Sequence, residues 1–159
     1  MIVDIIVTNA SVLTMDAARP RAEAVALGGG RIVAVGTAAE VAALATPGTK
    51  VIDAKGHHVL PGVLDVHVHL ELPFMGAVSA DDYRTGTRAG ARGGVTTLID
   101  FAIPYAGQSL NDAADNWMKK AEGKSLIDYT FHICITRWNE HKDQIREWSI
   151  AASPPSRNS

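Results

Sequence analysis

Through the first 60 positions of the chain, apolar residues come in short runs separated by turn formers. Asp4 to Thr8 is rich in β-branched residues, and Ser11 to Met15 resumes after a polar break. Ala24 to Leu27 leads into Gly28-Gly29-Gly30, and Arg31 to Val35 follows; two apolar runs around a glycine turn predict a hairpin. Thr37-Ala38-Ala39-Glu40 has the spacing of a capping box and predicts a short helix through Leu44, ended by Pro47-Gly48. Val51-Ile52 and His58-Val59-Leu60 read as two further strands. Strands this short and this frequent predict a small β-sandwich over residues 1–60.

The pattern changes at Pro61-Gly62. Val63 to His67 is a compact apolar strand, Asp81 to Arg92 has helical character and stops at Gly93-Gly94, and Val95 to Phe101 is a second strand. Ser109 to Ala121 predicts a helix with Ser109 as its N-cap, Asp112 three residues on and Gly123 at its end. Ile127 to Ile135 reads as a third strand and Asn139 to Trp148 as a third helix. Strands alternating with helices at this spacing imply βαβ units and a parallel sheet. Only three such units fit, whereas an eight-unit barrel needs about 200 residues or more. Three units alone would leave long apolar strand edges unpaired. The small polar segment Ala151 to Ser159 is expected to be disordered.

Composition narrows the class. Of 159 residues, 47% are hydrophobic and 20% charged, the balance of a soluble globular protein. The net charge of −2 is spread along the chain without a basic stripe, which argues against nucleic acid as a partner. No apolar run approaches the roughly 20 residues of a membrane helix. Met1 to Met15 lacks the basic start and continuous apolar core of a signal peptide. The lone Cys134, within Ile133-Cys134-Ile135, reads as a buried core thiol and fits a reducing compartment. A cytoplasmic protein is expected.

The chemistry concentrates in Leu60-Pro61-Gly62-Val63-Leu64-Asp65-Val66-His67-Val68-His69-Leu70. Side chains alternate along a strand, so His67 and His69 point the same way, at the end where a parallel strand opens onto its functional side. Two imidazoles so placed can hold one metal ion, with zinc the default for hydrolysis. The same pair, taken alone, also fits two solvated or core histidines. His57, His58 and His141 read as surface or core residues, with His141 solvated on a polar helix. His132, inside the third strand, reads as a hydrogen-bonding residue of the sheet. Lys119, Lys120 and Lys124 are ordinary for a helix end. Asp65 and Asp100 each read either as a partner orienting a ligand or as a structural hydrogen-bonding group, the second preferred. Gly28-Gly29-Gly30 lacks the strand-to-helix context of a phosphate loop.

A Pro-Gly turn, an apolar strand, an aspartate and then His-x-His resemble the signature of the amidohydrolase superfamily. His69-Leu70-Glu71-Leu72-Pro73-Phe74-Met75-Gly76 is similar to the following loop in dihydropyrimidinases and hydantoinases. Asp81-Asp82-Tyr83, Gly86-Thr87, Gly93-Gly94-Val95-Thr96-Thr97 and Ile99-Asp100-Phe101-Ala102-Ile103-Pro104 resemble the same family, as do Ser109-Leu110, Trp117, Ile127-Asp128-Tyr129 and His132. The resemblance runs to about Glu147, with Glu71 a departure from several relatives. It implies a β-sandwich over 1–60, the start of a metal-dependent TIM barrel over 61–147 holding its first three βα units, and an aberrant tail over 148–159.

The resemblance also implies a function: hydrolytic opening of a cyclic amide such as a dihydropyrimidine or hydantoin, with two zinc ions per subunit and a homotetrameric assembly in full-length relatives. His67 and His69 match two of the family's metal ligands, and Leu72 and Phe74 match a loop lining the substrate's exocyclic group. The family's bridging lysine and its proton-transferring aspartate have no match in this chain, so no catalytic residue is assigned and the chain alone is expected to be inactive. Two rival readings remain. Non-enzymatic scaffold relatives lack the histidine pair that this chain keeps. The sibling enzymes are allantoinase and dihydroorotase; dihydroorotases often carry an arginine two residues after His-x-His, where Glu71 has the opposite sign.

The resemblance stops after Glu147, where relatives continue toward a Gly-Ile-Thr/Asn-Ser-Phe-Lys strand. Codons for Met-Val-Asp-Arg-Gly-Ile-Thr-Ser-Phe-Lys, read one base later, can spell Trp-Ser-Ile-Ala-Ala-Ser-Pro-Pro-Ser-Arg, the sequence from Trp148 to Arg157. A frame slip is therefore expected. Sequencing the coding DNA should find the lysine-bearing peptide one base out of frame; its absence there would end this reading.

Overall fold

The computed structural model describes residues 2–145. The chain divides into two units, Met1–Pro61 and a second that begins at Gly62. The reading of 148–159 as an aberrant tail, and the end of the helix read as reaching Trp148, lie outside the described residues.

The first unit contains β1 (Ile5–Thr8), β2 (Ser11–Leu13), β3 (Arg21–Ala22), β4 (Ala24–Gly28), β5 (Arg31–Gly36), α1 (Ala38–Ala42), β6 (Lys50–Asp53) and β7 (His58–Val59). Four strands form one sheet in the order β5-β4-β1-β6, and three form another in the order β3-β2-β7. The β4–β5 hairpin turns through Gly29 and Gly30, both at positive φ, the backbone that a tight two-residue turn requires. Thr37 and Glu40 form a reciprocal capping box on α1. Val3, Ile6, Ala24, Ala26 and Val41 make the core of this unit.

The second unit contains β8 (Val63–Val68), β9 (Pro73–Phe74), β10 (Ala77–Val78), α2 (Tyr83–Arg92), β11 (Val95–Ala102), α3 (Leu110–Ala121), β12 (Asp128–Ile133) and α4 (Trp138–His141). Strands β12, β11 and β8 form a parallel sheet with β11 at its centre. Leu98 and Ala102 of β11 pack with Leu70, Tyr83, Trp117 and Ala121 into a core beneath α2 and α3; Tyr129, Phe131 and Ile133 of β12 pack against it. Leu70 stands so close to α2 that a Cβ on Gly86 would lie 2.5 Å from its side chain. Among the described residues, no helix is seen to pack on the other face of the sheet. Val63, Leu64 and Val66 of β8 are 53%, 61% and 55% exposed.

α3 starts at its expected cap, and α2, expected from Asp81, starts at Tyr83. Asp82 caps α2 and Ser109 caps α3, each accepting from the backbone N–H three residues on while the side chain there returns the bond. Several features differ from expectation: α4 covers only Trp138–His141 of the helix read from Asn139, and Cys134, read as a buried core thiol, is only partly buried. The segment after His69 is a miniature hairpin of β9 and β10, turning through Met75 and Gly76 at positive φ, instead of an open loop. His141, expected to be solvated, is fully buried, with its Nε2 donating to the Gln108 carbonyl at 3.0 Å. The polar pattern around His141 misleads because the α4 segment packs at the start of α3, where the Gln144 side chain accepts from Leu110 N at 2.8 Å. No helix among the described residues is long and apolar enough to cross a membrane.

The Thr85 backbone N–H and side chain hold the Asp82 carboxyl below the ordinary aspartate value. A carboxyl lowered in the native state stabilises the fold above the unfolded-state pKa of about 3.9, and this contribution is lost as pH falls through the lower native value. Asp82→Asn keeps a capping side chain but cannot titrate. Its urea midpoint should therefore fall less than the parent's between neutral pH and pH about 3; equal acid limbs would refute the assignment.

Candidate metal-binding strand

β8 is an edge strand with an irregular pairing to β11. Leu98 pairs with Asp65 and Asp100 with Val68, so two steps along β11 correspond to three along β8. The extra residue makes a bulge within Asp65–Val68, the stretch that includes His67. The Asp65 carboxylate accepts from His67 N at 3.2 Å, a local bond that closes this bulge. Beyond it, Val68 packs against the helix-side core and Leu70 is buried in it. By alternation, His67 and His69 face the open side of the sheet.

There the two imidazoles meet edge to face, with ring centres 5.1 Å apart and planes at 89°. Both are exposed. Phe101 of β11 lies against them, its ring centre 4.5 Å from that of His67 and 5.2 Å from that of His69. His132 of β12 sits on the far side of Phe101 at 4.9 Å, and its Nε2 donates to the Val66 carbonyl at 3.1 Å.

Asp100 lies on the opposite, buried side of β11. One carboxylate oxygen accepts from the Tyr83 hydroxyl at 2.5 Å and from Leu70 N at 3.1 Å, and the other from Phe101 N at 2.6 Å. Burial raises the Asp100 carboxyl above the ordinary range, opposed by these hydrogen bonds. Burial also raises the Tyr83 hydroxyl, so it remains a donor.

The turn after His69 is held by a third group. Glu71 adopts a positive φ; its carbonyl accepts from Lys120 Nζ at 3.0 Å, and its carboxylate pairs with Lys124 at 2.7 Å and accepts from Tyr83 N at 3.3 Å. Burial pulls the Lys120 ammonium below the usual lysine range, against the attraction of Glu71. Leu72 packs against the core, whereas Phe74 is 67% exposed at the hairpin.

The donor pair fits a cation. Two imidazoles bound through nitrogen to one tetrahedral zinc at roughly 2.0–2.1 Å would have ring centres about 5 Å apart. The set is incomplete: among the described residues, no group of three or more His, Cys, Asp or Glu side chains is arranged to hold a metal ion. His132 sits nearby with its Nε2 committed to a backbone carbonyl.

No protein-family model matches the chain. The chain is 47% identical over 111 residues to the D-hydantoinase of Streptomyces coelicolor, a match covering 70% of this chain and 24% of that protein. It is 52% identical over 93 residues to the dihydropyrimidinase of Dictyostelium discoideum, covering 58% of this chain and 18% of that one. Among solved structures, the D-hydantoinase of Bacillus sp. AR9 superposes with a TM-score of 0.79 at 40% identity, over 93% of this chain and 30% of that chain. The chain belongs with the D-hydantoinases and dihydropyrimidinases. It corresponds to their N-terminal part and spans about a quarter or less of the length of these two curated relatives.

For this hydantoinase relative, the structure brings His67, His69 and Phe101 together on the open face and puts Asp100 beneath the backbone of the same turn. Asp65 lies within the strand's bulge, and Leu72 and Phe74 differ sharply in burial. Sequence reasoning missed Tyr83, Lys120 and Lys124. The available signal for Tyr83 was an aromatic residue at the start of an amphipathic helix. The lysines carried none, because their partner Glu71 is 49 and 53 positions away in sequence.

Replacing Glu71 by glutamine removes the charge that Lys124 and Lys120 share. The expected cost is about 1 kcal/mol in urea unfolding, shrinking as salt is added to the parent protein. A variant as stable as the parent at low salt would contradict it.

Proposed function

We propose that this chain carries the first part of a metal-dependent hydrolase site for cyclic amides of the dihydropyrimidine or hydantoin class. In this reading β8, β11 and β12 with their helices are the first three βα units of a TIM barrel, and the small β unit before them is part of a β-sandwich domain. The observation that carries the reading is the His67–His69 pair, edge to face on the open side of a parallel strand, in a chain 47% identical over 111 residues to a D-hydantoinase.

In such a site a bound zinc ion lowers the pKa of water and polarises the ring carbonyl. The chain's own residues have simpler tasks. His67 and His69 would supply ring nitrogens as donors, and Phe101 backs both rings. The buried Asp100–Tyr83 pair holds the turn on which His69 stands. The exposed Phe74 is the hairpin residue available to an apolar substituent of a substrate, whereas Leu72 supports the hairpin from the core side. No general base is assigned, and two protein ligands are fewer than the three a catalytic zinc normally has.

The full chain should therefore bind zinc in calorimetry without hydrolysing dihydrouracil. His67→Ala and His69→Ala should each weaken binding about 100-fold or more, in line with the loss of one of two protein ligands. Undiminished zinc binding by the double variant would exclude this pair as the site. Turnover of dihydrouracil by the chain alone would show that the donor set is more complete than this reading holds.

A further inference from the structure

The stretch Val66–Leu70 carries two long-range bonds from side chains of other strands to its backbone. His132 of β12 reaches past β11 to the Val66 carbonyl, immediately before His67. A carbonyl only accepts, so His132 Nε2 carries the proton in this bond. Asp100 of β11 takes the Leu70 N–H, immediately after His69, from the other face of the sheet. Its carboxylate is in turn fixed by the Tyr83 hydroxyl and the Phe101 N–H.

The bulge makes these bonds consequential. A bulge interrupts the ladder and leaves its extra residue without a regular partner, and this one lies within Asp65–Val68 on an edge strand. A free edge at a bulge is the part of the sheet most able to change register, and a slip by one residue turns side chains to the opposite face. Such a slip would send His67 and His69 toward the helix core and bring Val68 and Leu70 out.

We infer that His132 and Asp100 are positioning residues for the His67–His69 pair, pinning the backbone on either side of it so that both rings face one point. This rests on the reading of that pair as a cation site. His132 acts through its ring N–H and does not itself ligate; its ring also closes the row His132–Phe101–His67. Asp100 acts through an uninterrupted acceptor geometry at Leu70.

The test uses the full chain and three variants. His132→Phe keeps a ring against Phe101 but lacks the donor, His132→Gln restores an N–H, and Asp100→Asn disturbs the acceptor set. Cobalt(II) is the metal probe, and amide hydrogen exchange without metal is the second readout. Expected for His132→Phe is faster exchange confined to the Val66–Leu70 stretch, an unchanged urea midpoint and cobalt affinity about 10-fold weaker, the lower end of the effect of an outer-shell partner. His132→Gln should recover most of both. Asp100→Asn should speed exchange at Leu70 above all. If the phenylalanine variant matches the parent in exchange and affinity, or if glutamine is no better than phenylalanine, the positioning role of His132 is overturned. If Asp100→Asn does not fold, Tyr83→Phe replaces it, with the same Leu70 readout; unchanged Leu70 exchange overturns the role of Asp100. Should the parent take up no cobalt through His67 and His69, the cation reading fails by itself, while the metal-free exchange still decides whether the two side chains hold this backbone.

Discussion

Strand alternation, adjusted where the β8–β11 register shifts, is the constraint on which the rest of the second unit depends. Side chains on β8 must divide between a buried helix side and an open side, and the hydrophobic demand of Val68 and Leu70 decides which way. Burying those two leaves His67 and His69 on the open face with their rings in contact. The extra residue within Asp65–Val68 is tolerated because its surroundings are satisfied locally by Asp65 and at long range by His132. Apolar packing thus orients the chemistry, and polar bonds refine it.

The two faces of the sheet differ in character. Beneath α2 and α3, Trp117, Tyr83 and Leu98 are buried around the buried carboxylate of Asp100, whose desolvation is offset by three donors. On the open face stands the aromatic row Phe101, His67, His69 and His132. Parallel strands are ordinarily covered on both faces, which is why their sequences read as continuous apolar runs. The run Val63 to Val68 has that character, although in this chain its open face meets solvent.

Local rules were legible from sequence, and long-range ones less so. The caps at Thr37 and Ser109 are written within four residues and could be read directly, whereas the equally local box at Asp82 was not read. The Gly29-Gly30 hairpin and the three parallel strands followed from turn chemistry and alternation. The hairpin after His69 was not read, because strands of two residues carry no period and only Met75-Gly76 marks the turn. His141 was misjudged because a polar sequence pattern cannot show which neighbour will cover it; the backbone of Gln108 does. At the site, His67 and His69 were visible as a spacing. Their supports were not, since Tyr83, Lys120 and Lys124 act on residues distant in sequence.

The central claim is that one strand presents two imidazoles to a single cation. It is tested most directly by nitrogen-labelling the histidines, loading the chain with cadmium and recording magnetic resonance couplings between metal and ring nitrogens. The account predicts coupling from one cadmium to a nitrogen of His67 and a nitrogen of His69, and none to His132. Coupling to only one of the pair, or to His57 or His58 instead, would contradict it.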